Sequence, residues 1–214
     1  MDGPAGRRFS PASCAARGGR RYRDEVITER PRIIAIGGFP GSGKTTVADA
    51  LATGLGLPLL GSDLVGTTIK DVLDEHHRDP IASSVAFRAA YEVLFALAEE
   101  TVAHRCSVVI DASLGWSFQW DALDAIAARH PRVGLRPIIL DCSEQTCTRR
   151  LQDRHNRDPL RYPSASEFMR QPQLAGVRAL LDALDRSDVV RIAAEQPASH
   201  VYDQVRRSVM LPAG

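Results

Sequence analysis

Apolar and polar positions follow two different periods along this chain, and the switching between them lays out the fold. Ile33-Ile34-Ala35-Ile36, Leu57-Pro58-Leu59-Leu60, Ser107-Val108-Val109-Ile110-Asp111, Pro137-Ile138-Ile139-Leu140-Asp141 and Asp188-Val189-Val190-Arg191-Ile192 are short, largely apolar runs. Runs of this kind predict strands covered on both faces, as in a parallel sheet. Between them apolar residues recur at spacings of three and four, the helical period. The series are Val47, Leu51, Leu55; Phe87, Tyr91, Leu94, Ala98, Val102; Trp120, Leu123, Ala127; Leu174, Val177, Leu181, Leu184; and Val201, Val205, Val209. Ser117 and Ser143 read as helix N-caps, and Pro137 reads as the first residue of its strand, where a proline is tolerated. Pro172 limits how far the Leu174 helix extends backward. The alternation predicts an α/β three-layer sandwich: five parallel strands with helices on both faces.

The connection after the first strand carries the chemistry. Gly38-Phe39-Pro40-Gly41-Ser42-Gly43-Lys44-Thr45 fits the G-x-x-x-x-G-K-[ST] phosphate loop, here between a strand and a helix as that loop requires. Its glycines let successive N–H groups turn inward toward phosphate oxygens, and the new helix adds the partial positive charge of its N-terminus. Lys44 is then placed to reach the β- and γ-phosphates, with the Thr45 hydroxyl as a Mg²⁺ ligand and Thr46 closing the cradle. Lys44 and Lys70 are the only lysines in a chain whose basic residues are otherwise arginines, so the lysine in the loop does not come from background usage.

In parallel sheets ligands bind beyond the carboxyl ends of the strands. Those ends carry Gly38, Asp63, Asp111 and Asp141. Asp63, in the polar corner Gly61-Ser62-Asp63, and Asp111 are read as functional because both flank the loop. Asp141 is read as a cap or turn residue.

With these pieces in order, residues from about Arg32 to about Arg191 resemble the phosphate-loop small-molecule kinases of the predicted-kinase branch. Their relatives include polynucleotide 5′-kinase, zeta toxin, chloramphenicol phosphotransferase and gluconate kinase. The resemblance rests on the loop, Ser62-Asp63, Tyr91, Val108-Val109-Ile110-Asp111-Ala112-Ser113 and Arg149-Arg150-Leu151-Gln152-Asp153-Arg154. It implies a P-loop NTPase-type fold with a small arginine-bearing lid, using ATP and Mg²⁺. It further implies Asp63 as base or acceptor-binding carboxylate, Asp111 as positioner of acceptor or metal-bound water, and Arg150 and Arg154 as lid arginines over the phosphates. Those two lie one helical turn apart and share a face, whereas Arg149 points elsewhere. The chain departs from its relatives in two places. Gly66, in the small-residue run Val65-Gly66-Thr67-Thr68, stands where relatives often carry an arginine, leaving Lys70 as a substitute or as a surface residue. Trp116 and Phe118 replace the arginines usual after Asp111, either lining an acceptor pocket less anionic than a nucleic-acid end or packing in the core.

Composition removes several alternatives. The 214 residues fit one domain, and a net charge of +1 gives no global pull toward nucleic acid or anionic membrane. No apolar run approaches the ~20 residues of a bilayer span, and a cytoplasmic location is expected. Cys14, Cys106, Cys142 and Cys147 lack metal-ligand spacing and are read as isolated buried thiols. His76 and His77, adjacent and therefore pointing apart, are read as an exposed polar turn before Pro80. Residues 1–30 are rich in arginine, glycine and proline without apolar periodicity, and read as a disordered tail before a kinase domain at 31–214. A transit peptide and a nucleic-acid-binding arm remain open for that segment.

Three functions follow in order. The first is an ATP- and Mg²⁺-dependent kinase acting on a hydroxyl of a small molecule. The second is a regulatory nucleotide-binding ATPase without such an acceptor. The third, a polynucleotide 5′-end kinase, is disfavoured by the near-neutral charge and by Gly66.

Overall fold

The computed structural model describes residues 30–76 and 83–210. The tail and His77 lie outside that range, and so do the side chains around His76. Five strands form one all-parallel sheet: β1 (Arg32–Gly38), β2 (Leu59–Gly61), β3 (Val108–Asp111), β4 (Gly134–Asp141) and β5 (Val190–Ala193), in the order β2-β3-β1-β4-β5. The buried runs Ile33–Ile36, Val108–Ile110 and Ile138–Leu140 make the middle of the sheet inaccessible to water from either side, as continuous apolar strands require. The chain first fills one side of β1 with β2 and β3, then the other with β4 and β5. Strand order therefore reverses across β1, and the crevice at the carboxyl ends opens there.

Helices α1 (Lys44–Leu55) and α8 (Ala198–Met210) pack on one face. On the other lie α3 (Ser83–Ala103), which follows α2 (Ser62–His76), and α4 (Ser117–Arg129). The segment α5 (Glu144–Arg157), α6 (Ala165–Met169) and α7 (Gln173–Ala183) links β4 to β5. The three-layer sandwich expected from the apolar pattern is the fold.

Four local expectations change. The polar corner at Ser62-Asp63 is the first turn of α2, which leaves β2 without a loop; Thr67 and Thr68 bond back to the carbonyls of Asp63 and Leu64 at 2.8 and 2.9 Å, seating the small-residue run inside the helix. Pro137 lies inside β4 rather than at its start. β5 begins pairing only at Ile138, so the missing N–H falls where β4 has one neighbour, β1. Trp116, not Ser117, occupies the N-cap position of α4, where the Gln119 amide oxygen accepts from the Trp116 N–H at 3.2 Å. Ile126 rather than Ala127 completes the buried stripe of that helix. Ser143 does cap α5, accepting from the Thr146 N–H.

Candidate active site

The loop Gly38–Lys44 leaves the carboxyl end of β1, the middle strand, and its shape is enforced from below. Gly38 and Gly41 have φ of 145° and 87°, which L side chains rarely adopt. A Cβ on Gly41 would also sit 2.6 Å from the Cys147 carbonyl oxygen, so the loop rests directly on the first turn of α5. Ser42 N–H closes a turn onto the Phe39 carbonyl at 2.9 Å, and buried Ser42 faces inward. Gly43 heads α1 with no side-chain cap, so the first-turn N–H groups open into the cleft beside Lys44, Thr45 and Thr46.

Arg150 underpins this loop. Its guanidinium donates to the carbonyls of Ser42 (3.0 Å), Gly41 (3.5 Å) and Ala194 (2.9 Å), tying the loop to the end of β5. The arginine expected on a lid over the phosphates is here bonded to the loop itself, and it also lines the cleft. Its expected companion Arg154 behaves differently: it lies 4.3 Å over the Tyr162 ring, with its buried Nε unpartnered, at the cleft's edge. Arg157 also lines the cleft. Extending the spacing 150, 154 by three more residues would have found it. Arg149 is exposed, as its helical position implies. Arg178, which no motif or spacing singles out, stacks 4.1 Å over Phe39 of the loop and donates to the Cys142 carbonyl.

The two flanking carboxylates occupy opposite environments. Asp111 ends β3, in register with Ile36 of β1 and Gly61 of β2, and only 4% of its surface is exposed. Burial pushes its carboxyl above the usual range, opposed by the charge of Lys44 and a hydrogen bond from Thr45, and reinforced by the charge of Asp63. One oxygen, Oδ1, is buried without a hydrogen-bond partner. A buried carboxyl bonded by a threonine hydroxyl, close to a lysine charge and with one oxygen left unpartnered, fits the outer shell of a hard cation. Asp63 is exposed and lines the same cleft from α2. Asp141, expected as a cap or turn residue, instead forms a two-point pair with Arg191 of β5 at 2.7 and 2.9 Å, while Ser143 caps the helix that follows.

Beyond Asp63 the cleft changes character. Phe87 and Tyr91 of α3 meet Trp116 in an edge-to-face cluster, with centroids 4.9 Å (Phe87–Tyr91) and 5.5 Å (Phe87–Trp116) apart. Phe87, expected on the buried face of its helix, is 38% exposed and lines the cleft. The aromatic pair after β3 divides: Trp116 lines the cleft, while Phe118 packs behind it beneath Arg88, whose Cζ is 4.1 Å from the ring. Trp116 gets there because Leu114 takes φ 51° and turns the chain sharply after β3. The Trp120 indole N–H bonds the Leu114 carbonyl at 2.9 Å and holds the turn, and Gly115 leaves room for Val177. Tyr91 Oη lies 3.3 Å from Ser113 Oγ, which the buried Gln119 amide also contacts at 3.2 Å.

Gly66 does not line the cleft; a Cβ there would meet Ala90 of α3 at 3.6 Å, an ordinary contact. Lys70, one turn on, does not line it either. Cys142 and Cys147 are buried under the loop, but Cys106 is exposed, contrary to expectation, at the turn before β3. Among the described residues no group of His, Cys, Asp and Glu side chains is arranged to hold a metal by itself, and no helix is long and apolar enough to cross a membrane. The whole cleft encloses about 520 Å³, within the range of small-molecule sites.

Comparison with known proteins bears on this arrangement. Residues 33–175 match the family model described as AAA domain. Among curated proteins none matches significantly. Similar solved structures include a gluconokinase from Sinorhizobium meliloti (20% identity, TM-score 0.53), covering 84% of this chain and 91% of that one. Shikimate kinase from Aquifex aeolicus matches at 19% identity and TM-score 0.52, over 83% of this chain and 95% of its own. The tunicamycin resistance protein of Deinococcus radiodurans matches at 16% identity and TM-score 0.55, over 86% and 98%. At such identities the likeness establishes a shared fold, and a fold does not choose an acceptor.

Proposed function

The chain belongs to the AAA-domain family, and from that premise we propose that it is an ATP- and Mg²⁺-dependent phosphotransferase acting on a hydroxyl of a small molecule. One observation carries the reading: the phosphate loop, Asp63 and an aromatic-walled space lie along one continuous cleft. A nucleotide-binding ATPase needs only the first of these. Kinase names among the similar structures, gluconokinase and shikimate kinase, support the same class.

The chemistry divides among the residues as follows. The N–H groups of Gly41–Thr46 and the Lys44 ammonium bind the β- and γ-phosphates. Thr45 and Asp111 would hold Mg²⁺, which when bound would supply positive charge against the phosphate oxygens. Arg150 fixes the loop, and Arg154 with Arg157 bring charge to the cleft's edge. Asp63, exposed on the acceptor side, takes the acceptor's proton as its oxygen bonds to the γ-phosphorus and the bond to the β-phosphate oxygen breaks, releasing ADP.

ATP consumption measured against panels of sugars, nucleosides and antibiotics tests this. Acceptor-dependent ADP release with a phosphorylated product is expected. Slow hydrolysis indifferent to every acceptor would leave the regulatory ATPase reading in its place.

A further inference from the structure

Charge is segregated along the cleft. Among the described residues four cations line it, Lys44, Arg150, Arg154 and Arg157, and all belong to the phosphate loop or to α5. The other half is lined by Asp63, Phe87, Tyr91, Ser113, Trp116 and glutamine side chains of the α6–α7 region, with no cation among the described residues. Arg88, the guanidinium nearest the ring cluster on α3, lies over Phe118 and is bound to Glu92 at 2.6 Å. An acceptor carboxylate or phosphate placed here would face Asp63 with no counter-charge, which a partly desolvated site penalises. The rings, in contrast, are incompletely packed. Phe87 is 38% exposed and Trp116 half-buried, each edge-to-face with its neighbour and open on the side that faces the cleft. One more flat ring would complete the cluster. The Tyr91 and Ser113 hydroxyls beside it supply donors and acceptors for an uncharged polar group.

Resting on the kinase reading above, we infer that the acceptor is a neutral hydroxyl compound carrying an aromatic ring. The ring seats against Trp116 and Phe87, and the hydroxyl points at Asp63. Acidic acceptors of the gluconate or shikimate type would meet Asp63 and no counter-charge among the described residues of this half.

The test uses the full chain with a non-hydrolysable ATP analogue and Mg²⁺, and two probe sets. Phenyl glucoside, adenosine and 1-phenylethane-1,2-diol are neutral and aromatic; mandelate, shikimate and gluconate are carboxylates. Binding is followed by quenching of tryptophan fluorescence and by equilibrium dialysis, and transfer by labelled ATP in parallel. At least one neutral aromatic probe is expected to bind about tenfold or more tighter than every carboxylate. Trp116→Phe should remove most of the quench, leaving the Trp120 signal as an internal check on folding. Phe87→Arg, at a partly exposed position, should raise carboxylate binding about tenfold. Carboxylates binding as tightly as the neutral set, or no neutral probe binding at millimolar concentration, overturns the inference. Transfer to a carboxylate overturns it while leaving the kinase reading standing. Binding of a neutral aromatic probe with hydrolysis alone upholds the ligand class and removes the kinase reading.

Discussion

The two halves of the cleft are built by different means. The phosphate half is backbone: N–H groups of one loop, shaped by glycines whose φ and close contacts admit nothing else, with two of its carbonyls tied through Arg150 to the Ala194 carbonyl. The acceptor half is side chain: rings and hydroxyls from α3, the Ser113–Trp116 turn and the α6–α7 region, held by one another. On the proposed reading, the backbone cradle would bind the part of the substrate that never changes, the triphosphate. Side chains on a common scaffold can be exchanged without disturbing it, which accounts for similar folds among proteins named for different acceptors. Mutations that reshape the backbone of the first half should therefore act on nucleotide and fold together, and ring or hydroxyl mutations in the second on acceptor alone.

Lys44→Ala makes the largest break in the phosphate half. Transfer should fall by ~10³-fold or more, the scale on which a cation at the transferring phosphate acts. The fold should stay intact, because the Lys44 side chain projects into the cleft and buries nothing in the core. Lys44→Arg should fail similarly, its planar fork being too bulky for the loop. Single-turnover transfer beside a melting curve checks both halves of that statement. Near-normal turnover in Lys44→Ala removes the nucleotide site from this loop.

Asp63→Asn acts across the boundary. It keeps the side chain's shape and removes its charge and most of its basicity. Transfer should drop ~10²–10³-fold, while ATP binds as well or slightly better once a carboxylate facing the triphosphate is gone. The comparison of ATP affinity with single-turnover rate separates a chemical role from a binding one. An unchanged rate would make Asp63 a helix-start residue, favoured by the α2 dipole and nothing more.

The same contrast explains what could be read from the sequence. The phosphate half is contiguous, so the loop motif, the strand before it and the Val47-Leu51-Leu55 stripe after it announce themselves together. Strand-end Asp111 is legible because it terminates an apolar run. Arg150 could be located but not understood: its partners are main-chain carbonyls more than a hundred positions away at Gly41 and Ser42, and carbonyls leave no trace in residue identity. The acceptor half is assembled from distant segments. Phe87 fits the apolar stripe of α3, and helical periodicity alone cannot tell a ring that faces the core from one that faces a cleft. Nor does any local rule announce that Leu114 adopts φ 51° and so sends Trp116 into the cleft and Phe118 behind it.

Two glycines sharpen the comparison at the level of stability. Gly41 belongs to the cradle, at φ 87° and with a Cβ position 2.6 Å from the Cys147 carbonyl oxygen. Gly41→Ala should therefore cost ~1–3 kcal/mol, lowering Tm by about 2–12 °C in a chain of this size, and should weaken ATP binding. Gly66 lies inside α2 with room for a Cβ 3.6 Å from Ala90. Gly66→Ala should stabilise by ~0.5–1 kcal/mol, the usual helix-interior gain, with ATP affinity unchanged. Thermal melts with and without nucleotide decide both; stabilisation by Gly41→Ala would show that the loop does not rest on α5.

The smallest effect concerns the clasp behind the acceptor wall. Glu99 of α3 accepts from Arg129 at 2.6 and 2.7 Å and contacts His130 at 3.0 Å, joining α3 to the end of α4. The hydrogen bond from Arg129, followed by that from His130, holds its carboxyl down at about 2 against an ordinary value of 4.5, with burial opposing. The folded state thus binds this proton more weakly than the unfolded state. The clasp's stabilisation is complete above about 4.5 and is lost as pH falls from there through about 2. The pair is solvent-accessible, so the term should amount to no more than ~1 kcal/mol and should shrink in salt. Glu99→Gln should remove that increment at pH 7, and its stability should approach the parent's as pH drops below 4.5 toward 2. Urea midpoints of both proteins across that range, at low and high salt, measure it. Because the clasp lies on the acceptor-side helices, acceptor affinity should fall before ATP affinity when it is cut. Equal loss of both would mean that the two halves of the cleft are mechanically one.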